Sequence, residues 1–159
     1  MTQVPALVRY SNPLTRWLLR RGLPMGPNGL LTVRGRSSGE PRTAPVAIAE
    51  IDGHRYVIGA YGEAHWVRNL RAAREGEIRL HGRTEQIAAS ELGPGEATRF
   101  FGETLPGYIR RLPWIGRLFA RILFRLAAPE INADPTRAAK TRPVFELQEI
   151  DAEATMLGR

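Results

Sequence analysis

The sequence predicts a small antiparallel β-barrel with one helix inserted after the third strand and a block of helices outside it. Three observations carry this prediction. Apolar runs of strand length recur between about residues 30 and 92 and again at RPVFELQEI near the C-terminus. The breaks between them are short and Gly-containing, which joins neighbouring strands as antiparallel hairpins rather than through crossovers. The order of elements (strands, one helix, more strands, a helical stretch, a closing strand) is not the alternation of a doubly wound sheet.

Each element has its own signal. Asn12-Pro13 supplies an N-cap and a proline at the first helical position, Leu14, Trp17 and Leu18 share a face, and Gly22 ends the turn. Residues 1–28 therefore read as a helix followed by the loop LPMGPNG. A strand Leu30–Arg34 leads into GRSSGEPRT, and a second strand runs from about Thr43 to Ile51. Asp52-Gly53 is a two-residue hairpin signal into a third strand, His54–Ala60. HWVRNLRAAR reads as a helix ended by Gly76, and EIRLHG and RTEQIAASEL pair around Gly82. Pro94 opens a helical insertion reaching about residue 128. PEINADPTRAAKT reads as loop with one short turn, and RPVFELQEI as the last strand. No linker or repeat divides the 159 residues, which read as one domain.

Composition narrows the chemistry. The chain has no cysteine, which excludes disulfides, thiolate metal sites and a cysteine nucleophile. His54, His65 and His81 share no ligand spacing, so a metal site is not expected, and His54 reads as an exposed hairpin residue. There is no G-x-S-x-G elbow and no G-x-G-x-x-G opening a helix. No segment resembles a signal peptide or a membrane span, and a cytoplasmic protein is expected. The formal charge is +7, and Lys140 is the sole lysine. A GC-rich genome accounts for an arginine bias, yet arginine forks also suit phosphates and carboxylates. The charge points to an anionic partner: nucleic acid, acidic lipid or an acidic cofactor.

Two junctions stand out. In GRSSGEPRT, Arg36, Ser37, Ser38, Gly39 and Arg42 combine backbone amides at a Gly-relieved turn with hydroxyls and guanidinium groups, the donor set of a phosphate cradle. A solvated basic hairpin is the competing reading. In IGAYGEAHWVRNL, Gly59, Ala60 and Gly62 are small where a strand leaves the sheet, so that a flat ring can approach the backbone. Trp66 in the first turn of the next helix either flanks such a ring or, with Leu70 four residues on, pins the helix to the barrel. Asn69 falls on the face of Trp66.

A third feature is PWIGRLFARILFRL. Ile115, Leu118, Phe119, Ile122, Leu123 and Leu126 follow a helical apolar rhythm, while Arg117, Arg121 and Arg125 recur every fourth residue beside them, with Arg110 and Arg111 upstream. Packing of this helix on the barrel with a solvated arginine face is the simpler expectation. Peripheral contact of residues 110–126 with an anionic membrane is the alternative.

Taken together, LTVRGRSSGEPRTAPV, YVIGAYGE and WVRNLRAA resemble the deazaflavin-dependent nitroreductase family of flavin/deazaflavin oxidoreductases, over roughly residues 29 to 92. The resemblance implies a split β-barrel of the FMN-binding-protein kind and binding of coenzyme F420, whose tail carries phosphate and glutamates. By matched position, Arg36, Ser37, Ser38, Gly39 and Arg42 would hold that tail, and Thr43 and Pro45 would shape the adjoining strand. Gly59, Ala60 and Tyr61 would border the ring through their backbone, with Trp66 and Asn69 beside it. The position after Gly59-Ala60, often serine in the family, is Tyr61 here.

The function expected from this is hydride transfer between the deazaflavin and an unsaturated, hydrophobic acceptor, lipid-like or quinone-like. Tyr61 is the first candidate for proton donor and Tyr108 a weaker one, with water as an equal alternative. The helical insertion 94–128 would cap the barrel mouth and line the substrate. A non-catalytic carrier of the cofactor is the second reading, FMN is the nearest rival cofactor, and a nucleic-acid partner is not expected. Either a monomer or a homodimer fits.

Overall fold

A computed structural model describes residues 28–59, 62–127 and 133–150. Six strands, β1 (Asn28–Arg34), β2 (Pro41–Ile51), β3 (His54–Ile58), β4 (Glu75–Leu80), β5 (Arg83–Glu91) and β6 (Val144–Glu149), close into an antiparallel barrel in the order β1-β2-β3-β6-β5-β4. The hairpins at Asp52-Gly53 and His81-Gly82 have both central residues at positive φ, the turn whose twist matches paired strands. Helix α1 (His65–Ala73) follows β3. The outer helices are α2 (Pro94–Arg99), a π turn at Phe100–Thr104, α3 (Leu105–Arg111), α4 (Trp114–Ala127) and α5 (Pro135–Thr141). The N-terminal helix expected before residue 28 lies outside the described residues.

Side-chain alternation explains two separate cores. Leu31 and Val33 of β1, Val46 and Ile48 of β2, Val57 of β3, Ile78 of β4, Ile87 of β5 and Phe145 of β6 all point into the barrel and are buried. Val67 and Leu70 of α1 join them, fully buried, so α1 stoppers the barrel end at which β1 leads into β2 and β3 leads into α1. The opposite parity of β2, β3 and β6, at Ala49, Ile51, Ile58 and Val144, meets Phe100, Phe101, Leu105 and Ala138 of the outer helices. Strand β2 is thus apolar on both faces, which is why TAPVAIAEI reads as a nearly continuous apolar run. Tyr56, Phe100 and Phe101 form a chain of ring contacts across this second core, with centroids 4.9 and 5.3 Å apart.

The structure departs from the sequence expectation at four places. Helix α1 ends at Arg74, which takes the left-handed conformation (φ 59°) and donates its N–H to Leu70, not at Gly76. Gly76 lies within β4, where a Cβ would meet the Thr32 carbonyl oxygen at 2.8 Å; the glycine answers a close strand approach. Residues 135–141, expected as loop, form α5, capped by the Asp134 side chain accepting from the Arg137 N–H at 3.0 Å. Finally, α2, the π turn and α3 pack along the outer flank of β2, β3 and β6, and α3 is tied by Arg111 to Asp52 at the hairpin end, far from α1.

Phe101→Ala should therefore empty a closed site and cost about 3–5 kcal/mol. The exposed Trp114→Ala should cost about 0.5 kcal/mol or less. Chemical denaturation of the two variants checks the contrast.

Candidate functional site

The turn between β1 and β2 and the exit of β3 lie at the same end of the barrel, because β1 and β3 both run toward it and β2 runs away. The turn is closed by its own backbone. The Gly35 N–H donates to the Glu40 carbonyl at 2.8 Å and the Gly39 N–H to the Gly35 carbonyl at 2.8 Å. A Cβ at Gly35 would meet the Ser38 hydroxyl at 2.8 Å and the Arg42 stem at 3.6 Å, so both side chains crowd the base of the turn. Gly39, at φ 70°, supplies the left-handed residue and has open space around it.

One buried side chain fixes this turn to α1. The Asn69 carbonyl oxygen accepts from the Arg36 backbone N–H at 3.3 Å and from its guanidinium at 3.0 Å. Asn69 is only 6% exposed. The guanidinium is thereby held by a neutral acceptor, and no carboxylate among the described residues pairs with its charge. Among the described residues Arg42 pairs with Glu40 alone, at 3.6 Å and with both side chains exposed, a pair worth little in water. The amides of Ser37 and Ser38 have no acceptor among the described residues. Two guanidinium groups, two open amides and exposed hydroxyls on one turn form a donor set that fits a phosphate or carboxylate tail.

The other predicted residues are placed as follows. The Thr43 hydroxyl lies 2.8 Å from that of Thr32 on the outer side of the sheet, and Pro45 pairs with Leu30. Gly59 donates its N–H to the Pro143 carbonyl at 2.7 Å. A Cβ there would meet Pro143, the Gly62 carbonyl and Val67 at 3.1–3.2 Å. Its smallness thus serves the chain's own packing. Trp66 is half-buried against the barrel core, 6.4 Å from the Phe145 ring, the pinning role weighed for it from the sequence. Ala60 and Tyr61 lie outside the described residues. Tyr108 belongs to the flank cluster, where burial and then the nearby Glu50 raise its pKa. Glu50 sits beside the hairpin that Arg111 reaches, so the structure removes Tyr108 from the end that carries the turn.

Sequence reading missed one residue. Arg71 of α1 makes paired hydrogen bonds to Glu63 at 2.9 and 2.9 Å and to Glu91 at 2.7 and 2.8 Å. It clamps the segment before α1 to the end of β5. A charge pair eight residues apart across a turn carries no periodic signal, so only the fold reveals it. No metal cluster and no membrane-crossing helix is present among the described residues.

Fold and site together define an antiparallel barrel that presents a cationic turn beside its stoppering helix, a class suited to an anionic cofactor. The family model of the F420H(2)-dependent quinone reductases matches residues 16–118, well over half of the chain, and the protein belongs to that family. It is accordingly an oxidoreductase whose cofactor is coenzyme F420. Among solved structures, an F420-H2 dependent reductase (FDR-A) is 20% identical, with 77% of this chain and 94% of that one covered, at a TM-score of 0.48. ChuZ of Campylobacter jejuni is 12% identical over 92% of this chain and 55% of that one, at 0.50. A protein of unknown function from Agrobacterium tumefaciens is 18% identical over 84% and 52%, at 0.50. The last two are similar in fold alone, and the split β-barrel expected from the sequence is the fold. No curated protein matches the chain.

The Glu63 carboxyl is held below its ordinary range, chiefly by hydrogen bonds from Arg71. A depressed folded-state value contributes stability that is complete above the unfolded value and lost as pH falls through the folded one. The melting-temperature difference between the wild type and Arg71→Met should therefore hold steady from neutral pH to about pH 5 and shrink below about pH 4. A thermal-melt series across that range reads it.

Proposed function

We propose that this protein uses F420H2 to reduce a hydrophobic, quinone-like acceptor, with Arg36, Ser37, Ser38, Gly39 and Arg42 holding the cofactor's phosphate and glutamate tail. The observation that carries the reading is the turn of residues 35–42, fixed to α1 through Asn69 with its guanidinium charge left for a ligand. The family description supports both the cofactor and the quinone class.

When bound, reduced F420 supplies a hydride to the acceptor. The chain's contribution is position and electrostatics. Arg36 and Arg42 anchor the tail. Thr43 and Pro45 belong to the strand that leads away from the anchor, and the backbone at Gly59, Ala60 and Tyr61, with Trp66 and Asn69 of α1, borders the ring. Asn69 acts through Arg36, whose direction it sets. The quinone oxygen that gains negative charge takes its proton from the Tyr61 hydroxyl. An ordinary phenol, with a pKa near ~10, is protonated at neutral pH and suited to donate. Helices α2 and α3 stand on the barrel flank, so the acceptor approaches the end stoppered by α1 rather than a pocket under the insertion.

Titration of F420 into the purified protein, followed by the cofactor's fluorescence, tests the anchor. Loss of one charge-assisted contact in Arg42→Ala should weaken binding about tenfold to a hundredfold, the equivalent of ~1.5–3 kcal/mol. An unaltered affinity removes the tail from this turn. For the proton, Tyr61→Phe should leave F420 affinity in place and lower kcat for quinone reduction about a hundredfold. An unchanged kcat assigns the proton to water.

A further inference from the structure

Helix α4 is turned the wrong way round for a surface helix. Among its described side chains, Ala120 packs against the flank cluster, and Gly116 faces the turn before the helix, where a Cβ would meet Leu112 at 3.3 Å. These two residues are four apart and mark the inward stripe. At about 100° per residue, Trp114, Ile115, Leu118 and Ile122 centre on the opposite side of the helix. They are 67%, 62%, 50% and 49% exposed. Ile115, Leu118 and Ile122, expected from the sequence to pack on the barrel, therefore face outward, which corrects the simpler expectation for these three residues.

Charge decides what can cover it. From Leu105 to Pro129 the chain carries Arg110, Arg111, Arg117, Arg121 and Arg125 and not one acidic residue. Arg117, Arg121 and Arg125 are exposed along one edge of the apolar arc, while Arg111 is paired with Asp52. A second copy of α4 would bring the same cations against these with no acid to offset them. The chain's own first 27 residues hold Arg9, Arg16, Arg20 and Arg21 and no acid, so they meet the same repulsion. A nucleic acid would satisfy the arginines and leave a tryptophan and three large aliphatic side chains in water. An anionic lipid surface satisfies both: the apolar arc enters the boundary of the acyl chains, and the arginines lie among the phosphates.

We infer that α4 is a membrane-docking helix, lying in the plane of an anionic bilayer surface with Trp114, Ile115, Leu118 and Ile122 inserted and Arg117, Arg121 and Arg125 at the headgroups. This stands on α4 alone and holds whatever the acceptor is. The helix is too short to span a bilayer, and its face is far narrower than a spanning helix needs.

Co-sedimentation of the full-length protein with vesicles tests it, comparing phosphatidylglycerol/phosphatidylcholine mixtures with phosphatidylcholine alone. The wild type should partition onto the anionic vesicles, and high salt should weaken that binding. Leu118→Ser/Ile122→Ser should lower the partition coefficient at least tenfold. Arg117→Gln/Arg121→Gln/Arg125→Gln should lower it by about a hundredfold, at roughly fivefold for each arginine. All five positions are solvent-facing, and unchanged denaturation midpoints and F420 affinity show that the variants are folded. Equal binding to neutral vesicles, no binding to either, or unaltered binding of the serine variant overturns the proposal. So does a wild-type dimer in light scattering that becomes monomeric on Leu118→Ser/Ile122→Ser without any binding to vesicles, since a second copy would then own the face.

Discussion

The burial of Val67 and Leu70 in the end of the barrel is the constraint on which everything else rests. A six-stranded barrel leaves an opening at each end, and at this one interior residues near the strand ends, such as Val33 and Val57, need apolar neighbours from outside the sheet. Helix α1 supplies them. Once the two side chains are seated, the rotation of the helix is fixed, and Asn69, about 100° round the helix from Leu70, is aimed at the turn that joins β1 to β2. The placement of Arg36 is thus a consequence of hydrophobic packing on the same helix as Asn69. Large buried side chains of this kind contribute roughly 1.5–3 kcal/mol each, so the pair together outweighs the one charge-assisted hydrogen bond it aims.

The arginines around the barrel are held in two different ways. At the hairpin end, Arg55 bonds to Glu85 and pairs with Glu50 at 3.2 Å, and Arg111 pairs with Asp52 at 2.8 Å. Those cations are neutralised within the chain, and each hydrogen-bonded partner is a carboxylate. At the α1 end, Arg71 is likewise saturated by Glu63 and Glu91. Arg36 is oriented by an amide instead, which fixes direction without cancelling charge. An amide and a carboxylate hold a guanidinium equally well in geometry, but only the amide leaves a field for an incoming anion. The net positive charge of the chain is therefore less informative than its distribution.

Much of the fold was legible because the local signals agreed. The Asp52-Gly53 hairpin, the paired strands around Gly82 and the closing RPVFEL strand each had the turn chemistry and periodicity of the element they form. Helix α5 was missed although Asp134-Pro135 is a cap followed by a first-turn proline, because the segment has little apolar periodicity and meets the flank core only through the small side chains of Ala138 and Ala139. Gly76 was misread as a stop because a glycine demanded by a neighbouring carbonyl looks like one that ends a helix. At the site, the turn residues were visible as a cluster of donors. The link from Asn69 to Arg36 spans 33 residues, and the Arg71 clamp to Glu91 spans 20, so neither has a sequence period to betray it. The apolar face of α4 was visible too, but which way it turned depended on where Gly116 and Ala120 found their contacts.

The joint at Arg74 has a consequence of its own. Only that single left-handed residue separates α1 from β4, and its carbonyl already accepts the Ala89 N–H from β5 at 2.8 Å. Such a splice has no slack: the stopper cannot tilt or withdraw without tearing two strands out of alignment. The orientation of Asn69 toward the β1–β2 turn is thereby set when the chain folds. On the proposed reading, tails of differing length would run on into solvent past Gly39, like a key whose blade is fixed but whose handle can be any size.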